Sequence, residues 1–194
     1  MIKYRNIYTD RLIIRHFTID DLDDFLCIMK DEVVNEFLPW FPLQTRLEAQ
    51  QMLENSFLNT YKNTESFRYA ICLKDDNRAI GYVNLANNES YDFGYGLRKE
   101  YWHQGIVSEA AKAVLDIIKT SSVPFITATH DVKNMHSGNV MKKIGMEYKY
   151  SYEEVVQPKN TKVIFRMYQL NFDDSDYVYK KYWDQHPHFI EDIK

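Results

Sequence analysis

The chain has 194 residues, which suits one domain with a substantial core. Its 45% hydrophobic and 27% charged residues exclude a disordered chain, and no stretch approaches the roughly 18 uncharged apolar residues of a membrane span. Twenty-four Lys and Arg against 28 Asp and Glu leave a net charge of −4 with no long basic run, so neither a nucleic acid nor a membrane is an expected partner.

The opening stretch MIKYRNIYTDRL lacks an apolar signal segment with a small-residue cleavage site, so a cytoplasmic location is expected. RLIIR, residues 11–15, reads as a strand. Thr18 with Asp21 three residues on forms a capping-box pattern, and Leu22, Phe25, Leu26 and Met29 follow at helical spacing. The prolines of FLPWFP then break the helix and leave bulky rings in a loop. Thr45 and Glu48 open a second helix with Met52, Leu53 and Phe57 on its apolar stripe. Cys27 and Cys72 lie far apart and form no CxxC pair, the pattern of reduced core thiols.

SFRYAICL and AIGYVNLA flank the turn KDDNR as an antiparallel hairpin, and YDFGYGL is a further strand. A helix from about Ser108 to Lys119 leads to the strand PFITATHDV. A short helix ends at Ile144, where Gly145 offers a left-handed cap, and two strands, MEYKYSYEEV and KVIFRMYQLNF, close the pattern. The fold class is α/β (α+β), with a mostly antiparallel central sheet of about six to seven strands and helices on both faces. Residues 1–172 read as the domain. Residues 173–194, richer in acidic and aromatic side chains, read as an extension packed on or near it.

Five of the six glycines fall between residues 94 and 145. In YDFGYGL the alternation of a strand puts Phe93, Tyr95 and Leu97 on one face and Asp92, Gly94 and Gly96 on the other. That second face is nearly bare, which fits either a bulge or a ligand pressed against the backbone. After it, Gln104 to Ser108 open a helix with small Ala110, Ala111 and Ala113 on it, so their N–H groups sit at its positive end, suited to phosphate. Neither GxGxxG nor GxxxxGK[ST] is present.

YWHQGIVSEA resembles the acyl-CoA pyrophosphate loop of the GNAT acetyltransferase superfamily, [QR]xxGx[GA], and in particular its Rim-type branch of ribosomal-protein N-terminal acetyltransferase-like sequences, which often read YWGKGYATEA. Gly105, Glu109 and Ala110 match. YTDRLIIRHFTIDDLDDF resembles the branch's opening TxRLxLR, and NMHSGNVMKKIGME resembles its NxxSxxxxxKxGF through Asn134, Ser137, Lys143 and Gly145. The three motifs cover roughly Ile7 to Leu170 in the expected order.

The resemblance implies a GNAT fold and an N-acetyltransferase in which an amine attacks acetyl-CoA directly, with acetyl-CoA as co-substrate. It implies that Gln104, Gly105, Ile106, Val107 and Ser108 bind the pyrophosphate, that the chain at Leu97 and Arg98 pairs with pantetheine, and that Asn134 contacts CoA. Ser137 is the implied acid for the leaving thiolate, with Tyr91, Tyr95 and Tyr148 as competitors, and helix capping as its structural alternative. Asp92 stands where the branch carries a glutamate and is the candidate for amine binding or base work. Trp40 and Phe41 are expected to wall the acceptor pocket, unless they serve core packing. No histidine set with cysteine or carboxylate supports a metal. A peptide N-terminal amine, with a pKa of about 7.7 to 8.0 against about 10.4 for lysine, asks less of one carboxylate and is the favoured acceptor over a small-molecule amine. The alternative to an enzyme is a non-catalytic acyl-CoA sensor or interaction domain, and the sequence is compatible with a homodimer.

Overall fold

A computed structural model describes residues 6–62, 66–173 and 175–193. They fall into two compact units. The first comprises the chain up to Glu36, Pro42–Leu85 and Gly94–Ile118, the second Phe37–Phe41, Ala86–Phe93 and the chain from Lys119 onward.

The first unit is built on a sheet in the order β1 (Ile7–Tyr8), β2 (Leu12–Arg15), β3 (Arg68–Leu73), β4 (Ala79–Leu85), β5 (Phe93–Leu97). The β1–β2, β2–β3 and β3–β4 pairs are antiparallel, with Ile14 opposite Ile71. Strands β3 and β4 carry runs of buried apolar residues because the sheet is covered there. After β2, Asp21 accepts the Thr18 backbone N–H at 2.8 Å, and a 3₁₀ turn leads into α1 (Leu22–Met29). Leu22, Phe25, Ile28 and Met29 are buried, so Ile28 joins the face the periodicity assigned and Leu26 is only partly covered. Helix α2 (Arg46–Ser56) starts in a reciprocal capping box: Thr45 Oγ1 accepts from Glu48 N at 3.2 Å, and Glu48 accepts from Thr45 N at 2.8 Å. Phe17, Phe25 and Phe57 meet edge to face at 4.7 to 5.7 Å and form the aromatic part of this core. Cys72 is fully buried, and burial pushes its thiol up to about 12. Helix α3 (Ile106–Ile118) buries Ile106, Ala110, Ala111, Val114, Leu115 and Ile118.

The second unit carries a four-stranded antiparallel sheet in the order β6 (Phe125–Asp131), β8 (Thr161–Asn171), β7 (Glu147–Val156), β9 (His188–Phe189), with α4 (Met135–Lys143) between β6 and β7. Gly145, at φ +92°, ends the turn after α4. The aromatic segment after Phe172 belongs to this unit. Tyr150 donates to the Tyr179 carbonyl at 2.7 Å, and Gln169 bonds both Tyr177 O and Tyr179 N. Short helix α5 (Lys181–Gln185) follows, and Glu191 pairs with Arg166 at 2.5 Å and accepts from Ser151.

The architecture is the mixed α/β arrangement of helices and antiparallel sheet read from the sequence, but the strands divide five and four instead of forming one sheet of six to seven. Every strand in the sequence pattern is present. The additions, β1 and β9, are two residues each, too short to show alternation. Among the described residues β5 ends its sheet beside β4, and an isolated parallel bridge joins Asp92 to Thr127.

His16 stacks on Tyr61 with centroids 3.7 Å apart and planes at 5°, and burial lowers its pKa from 6.5 to about 4. The fold therefore holds the ring neutral. Its contribution is complete above the unfolded value of about 6.5 and is lost as pH falls toward about 4, worth about 1–2 kcal/mol once solvent screening of a half-buried ring is allowed for. In chemical denaturation, the stability of wild type relative to His16→Phe should fall by up to that amount between pH 7 and 4; a constant difference would reject the assignment.

Candidate active site

The turn from Leu97 to Ile106 connects β5 to α3. Gly105 sits at φ +75°, a conformation that lets the backbone swing into the helix and that a side chain would strain. Glu109 N donates to Gly105 O at 3.0 Å, which starts the helical ladder. The N–H groups of the preceding residues lie ahead of that ladder, at the positive end of a 13-residue helix.

Two residues of the turn between β1 and β2 hold this segment in place. Arg11 donates to Gln104 O at 3.0 Å and pairs with Glu109 at 2.6 Å, while Thr9 donates to the other oxygen of Glu109 at 2.5 Å. Burial alone would raise the Glu109 carboxyl, but the bonds from Thr9 and Arg11 prevail and lower it. On the other side of the turn, Trp102 Nε1 donates to Leu97 O at 2.8 Å, Lys99 pairs with Asp31 at 2.9 Å, and Arg98 pairs with Glu100 at 3.0 Å. Arg98 N donates to Ile80 O at 2.9 Å. Alternation along a strand then directs the Leu97 backbone to the outer edge of β5 while the Arg98 amide is engaged by β4.

The bare face of β5 has a different occupant from the one the sequence suggested. A Cβ on Gly96 would stand 2.5 Å from the Tyr82 ring, and one on Gly94 would stand 3.0 Å from the Asn84 side chain. Gly81, opposite on β4, similarly admits the Gly96 carbonyl and the Leu97 side chain. The glycines make room for neighbouring protein. Tyr82 is buried and its phenol is pushed up to about 12 by that burial. Asn84, half-buried beside Gly94, is a polar group at this strand that the sequence reading passed over; its place two residues after Tyr82 on the same strand face was the available signal.

Asp92, Asn134, Ser137, Trp40 and Phe41 belong to the second unit; Leu97, Arg98 and Gln104–Ser108 belong to the first. Asp92 is half-buried. Its carbonyl accepts the Ala86 amide at 2.8 Å, and burial pushes its carboxyl from 3.8 up to about 6. Asn134 caps α4 by accepting the Ser137 N–H at 3.3 Å, so Asn134 is the cap and Ser137 the third residue of the turn it closes. The Ser137 side chain is half-buried. Tyr148 is engaged elsewhere: its hydroxyl meets Ser151 Oγ at 3.0 Å and accepts the Glu191 N–H at 2.9 Å. Phe41 is 60% exposed, whereas the Trp40 indole nitrogen is buried with no hydrogen-bond partner among the described residues.

An acetyltransferase (GNAT) domain matches residues 11–147, from the arginine that holds the turn to the start of β7. The chain belongs to the GNAT acetyltransferase family. It is 28% identical over 159 residues to YnaD, an N-acetyltransferase of Bacillus subtilis, covering 80% of this chain and 90% of that one. A second N-acetyltransferase, p20 of Bacillus licheniformis, is 26% identical over 120 residues, covering 59% and 66%. Among solved structures, a GNAT-family acetyltransferase from Bacillus anthracis superposes with a TM-score of 0.75 at 23% identity, covering 87% of this chain and 99% of that one. RimL, a ribosomal L7/L12 alpha-N-protein acetyltransferase in complex with coenzyme A, superposes with a TM-score of 0.77 at 15% identity, covering 88% and 100%. This GNAT chain is therefore an acetyltransferase with acetyl-CoA as its co-substrate, and no helix among its described residues is long and apolar enough to cross a membrane.

Gly96→Ala should drive a methyl group into the Tyr82 ring. Overpacking of this kind costs about 1–3 kcal/mol, which for a chain of this size lowers Tm by roughly 2–12 °C. A thermal melt unchanged by the substitution would show that Tyr82 yields without cost.

Proposed function

We propose that this GNAT enzyme transfers acetyl from acetyl-CoA to an α-amino group, a peptide N-terminus before a small-molecule amine. The observation that carries the donor half is the Gly105 turn, opened at the N-terminus of α3 and braced by Arg11 and Glu109. The amides of Gln104 to Ser108 would bind the diphosphate of the donor, whose charge is favoured by the helix end without any lysine. The outer edge of β5 at Leu97 would pair with pantetheine as an added strand, with Arg98 as a flanking cation, and Asn134 would contact the CoA moiety.

Asp92 carries the acceptor half. A carboxyl at about 6 is ionised at neutral pH yet basic enough to take a proton from an amine, directly or through water. The mismatch with an α-ammonium is about 2 pH units, roughly 2.5 kcal/mol, against more than 4 units for a lysine ammonium. That difference favours the α-amine. The alpha-N-protein acetylation named for RimL is the same class of acceptor. Ser137 would return a proton to the departing thiolate, and Trp40 and Phe41 would line the acceptor's approach.

Two measurements test this reading. At about 100 times Kd, acetyl-CoA should stabilise the protein by about 2.7 kcal/mol, a Tm rise of roughly 5–10 °C, with CoA similar and ATP nearly inert. Arg11→Met should weaken that shift by loosening the turn, and an undiminished shift would remove Arg11 from donor binding. In acceptor turnover, kcat/KM should rise with pH through about 6 as Asp92 ionises in the presence of Tyr152, Tyr179 and Tyr182, the phenols its charge reaches. Asp92→Asn should lower kcat about 10²- to 10⁴-fold and abolish that limb. A wild-type pH profile in the variant would exclude Asp92 as the base.

A further inference from the structure

Glycine inside a helix is less favourable than alanine, and a buried ring nitrogen without a partner costs desolvation, so each asks for a reason. The second unit holds both in one contact. Gly138 is buried in α4, and a Cβ there would stand 2.6 Å from His130 Nε2 and 2.9 Å from its Cε1. His130, on β6, is only 4% exposed, and its Nε2 has no hydrogen-bond partner among the described residues.

The other ring nitrogen explains why the imidazole does not move aside. Nδ1 lies 2.8 Å from Asp131 O, the carbonyl that also accepts the Asn134 N–H at 2.8 Å. A carbonyl only accepts, and burial, the largest influence on this ring, favours its neutral form, so the single ring proton sits on Nδ1 and Nε2 turns a bare lone pair toward Gly138. The Tyr168 ring, from the neighbouring strand β8, lies against it with centroids 5.6 Å apart. The turn itself is tied down by Lys133 N, which donates to Asp131 Oδ1 at 2.8 Å, and by Val132 N, which donates to Ile164 O on β8 at 2.9 Å. His130 therefore fixes two things together: the turn that ends in Asn134, and the closeness with which α4 lies on β6. Gly138 stands one helical turn after Asn134 and beside Ser137, so a shift of the helix at this contact moves both.

We propose that His130 is a positioning residue for the donor: its imidazole, held at one edge by Asp131 O and met at the other by Gly138, sets the seating of α4 and with it the places of Asn134 and Ser137. It acts through the helix and not on the substrate. This inference rests on Asn134 being a CoA contact.

The test is calorimetric titration of the full chain with acetyl-CoA well below the melting temperature, where a loss of stability alone leaves the affinity of the folded protein unchanged. Gly138→Ala drives a methyl group into the ring edge and should weaken acetyl-CoA binding about 3- to 10-fold, the scale of one lost hydrogen bond. His130→Asn keeps an N–H at the place of Nδ1 and withdraws the edge that meets Gly138, so the double variant His130→Asn/Gly138→Ala should bind within about twofold of wild type. If Gly138→Ala does not fold, His130→Leu, which fills the space without donating to Asp131 O, should weaken binding about 3- to 10-fold while His130→Asn stays within about twofold. Wild-type affinity in folded Gly138→Ala, a double variant no tighter than Gly138→Ala, or equal affinities for the Leu and Asn variants would each overturn the positioning role. If Asn134→Ala weakens binding while Gly138→Ala binds as wild type does, this inference alone falls. If Asn134→Ala itself binds as wild type does, the reading of Asn134 as a CoA contact falls, and the inference with it.

Discussion

The carboxylate of Glu109 is the constraint on which the donor turn depends. It sits one turn into α3 and takes hydrogen bonds from Thr9 and Arg11, residues almost a hundred positions earlier. Arg11 then reaches the Gln104 carbonyl, so one guanidinium fixes both the first turn of the helix and the backbone ahead of it. Binding at backbone amides asks for geometry more than for side-chain identity. Pre-paying that ordering in the folded protein reduces what a bound diphosphate must supply.

The second unit solves a different problem. Its sheet presents the aromatic face of Tyr150 and Tyr152, large surfaces that water penalises, and the chain returns after Phe172 to cover them. The return is specified by polar bonds as well as by rings: the Tyr150 hydroxyl and both ends of the Gln169 amide engage backbone groups of residues 177 and 179. Each bond satisfies a group that would otherwise be buried without a partner, so the bonds fix the register of the covering segment while the rings supply its area.

Much of this was legible in the sequence because it is local. Capping boxes at Thr18 and Thr45, the turn-flanked hairpin and the glycine after α4 each write their geometry within a few residues. The ordered motifs around Arg11, Gly105 and Asn134 marked the family. What escaped was non-local. No periodicity announces that Tyr82 fills the space over Gly96, because the spacing says only that a side chain is missing and not what replaces it. Asn134 is a local exception: its bond to Ser137 lies within one helical turn, and the sequence reading offers the capping role to Ser137 instead. Two-residue strands lie below the reach of alternation, which is why the strand count changed while the fold class held.

The buried phenols have a consequence at the alkaline end of the pH scale. Burial pushes up Tyr61, Tyr82, Tyr150, Tyr152 and Tyr182 alike. Below about 10 both folded and unfolded chains hold these protons and the rings cost nothing. Above it the unfolded chain releases them while the folded chain holds them, and the rings buried in one unit are released together when that unit unfolds. The aromatic packing that closes the second unit thereby gives the molecule a steep limit in base, with its buried phenols ionising together on unfolding in place of gradual titration.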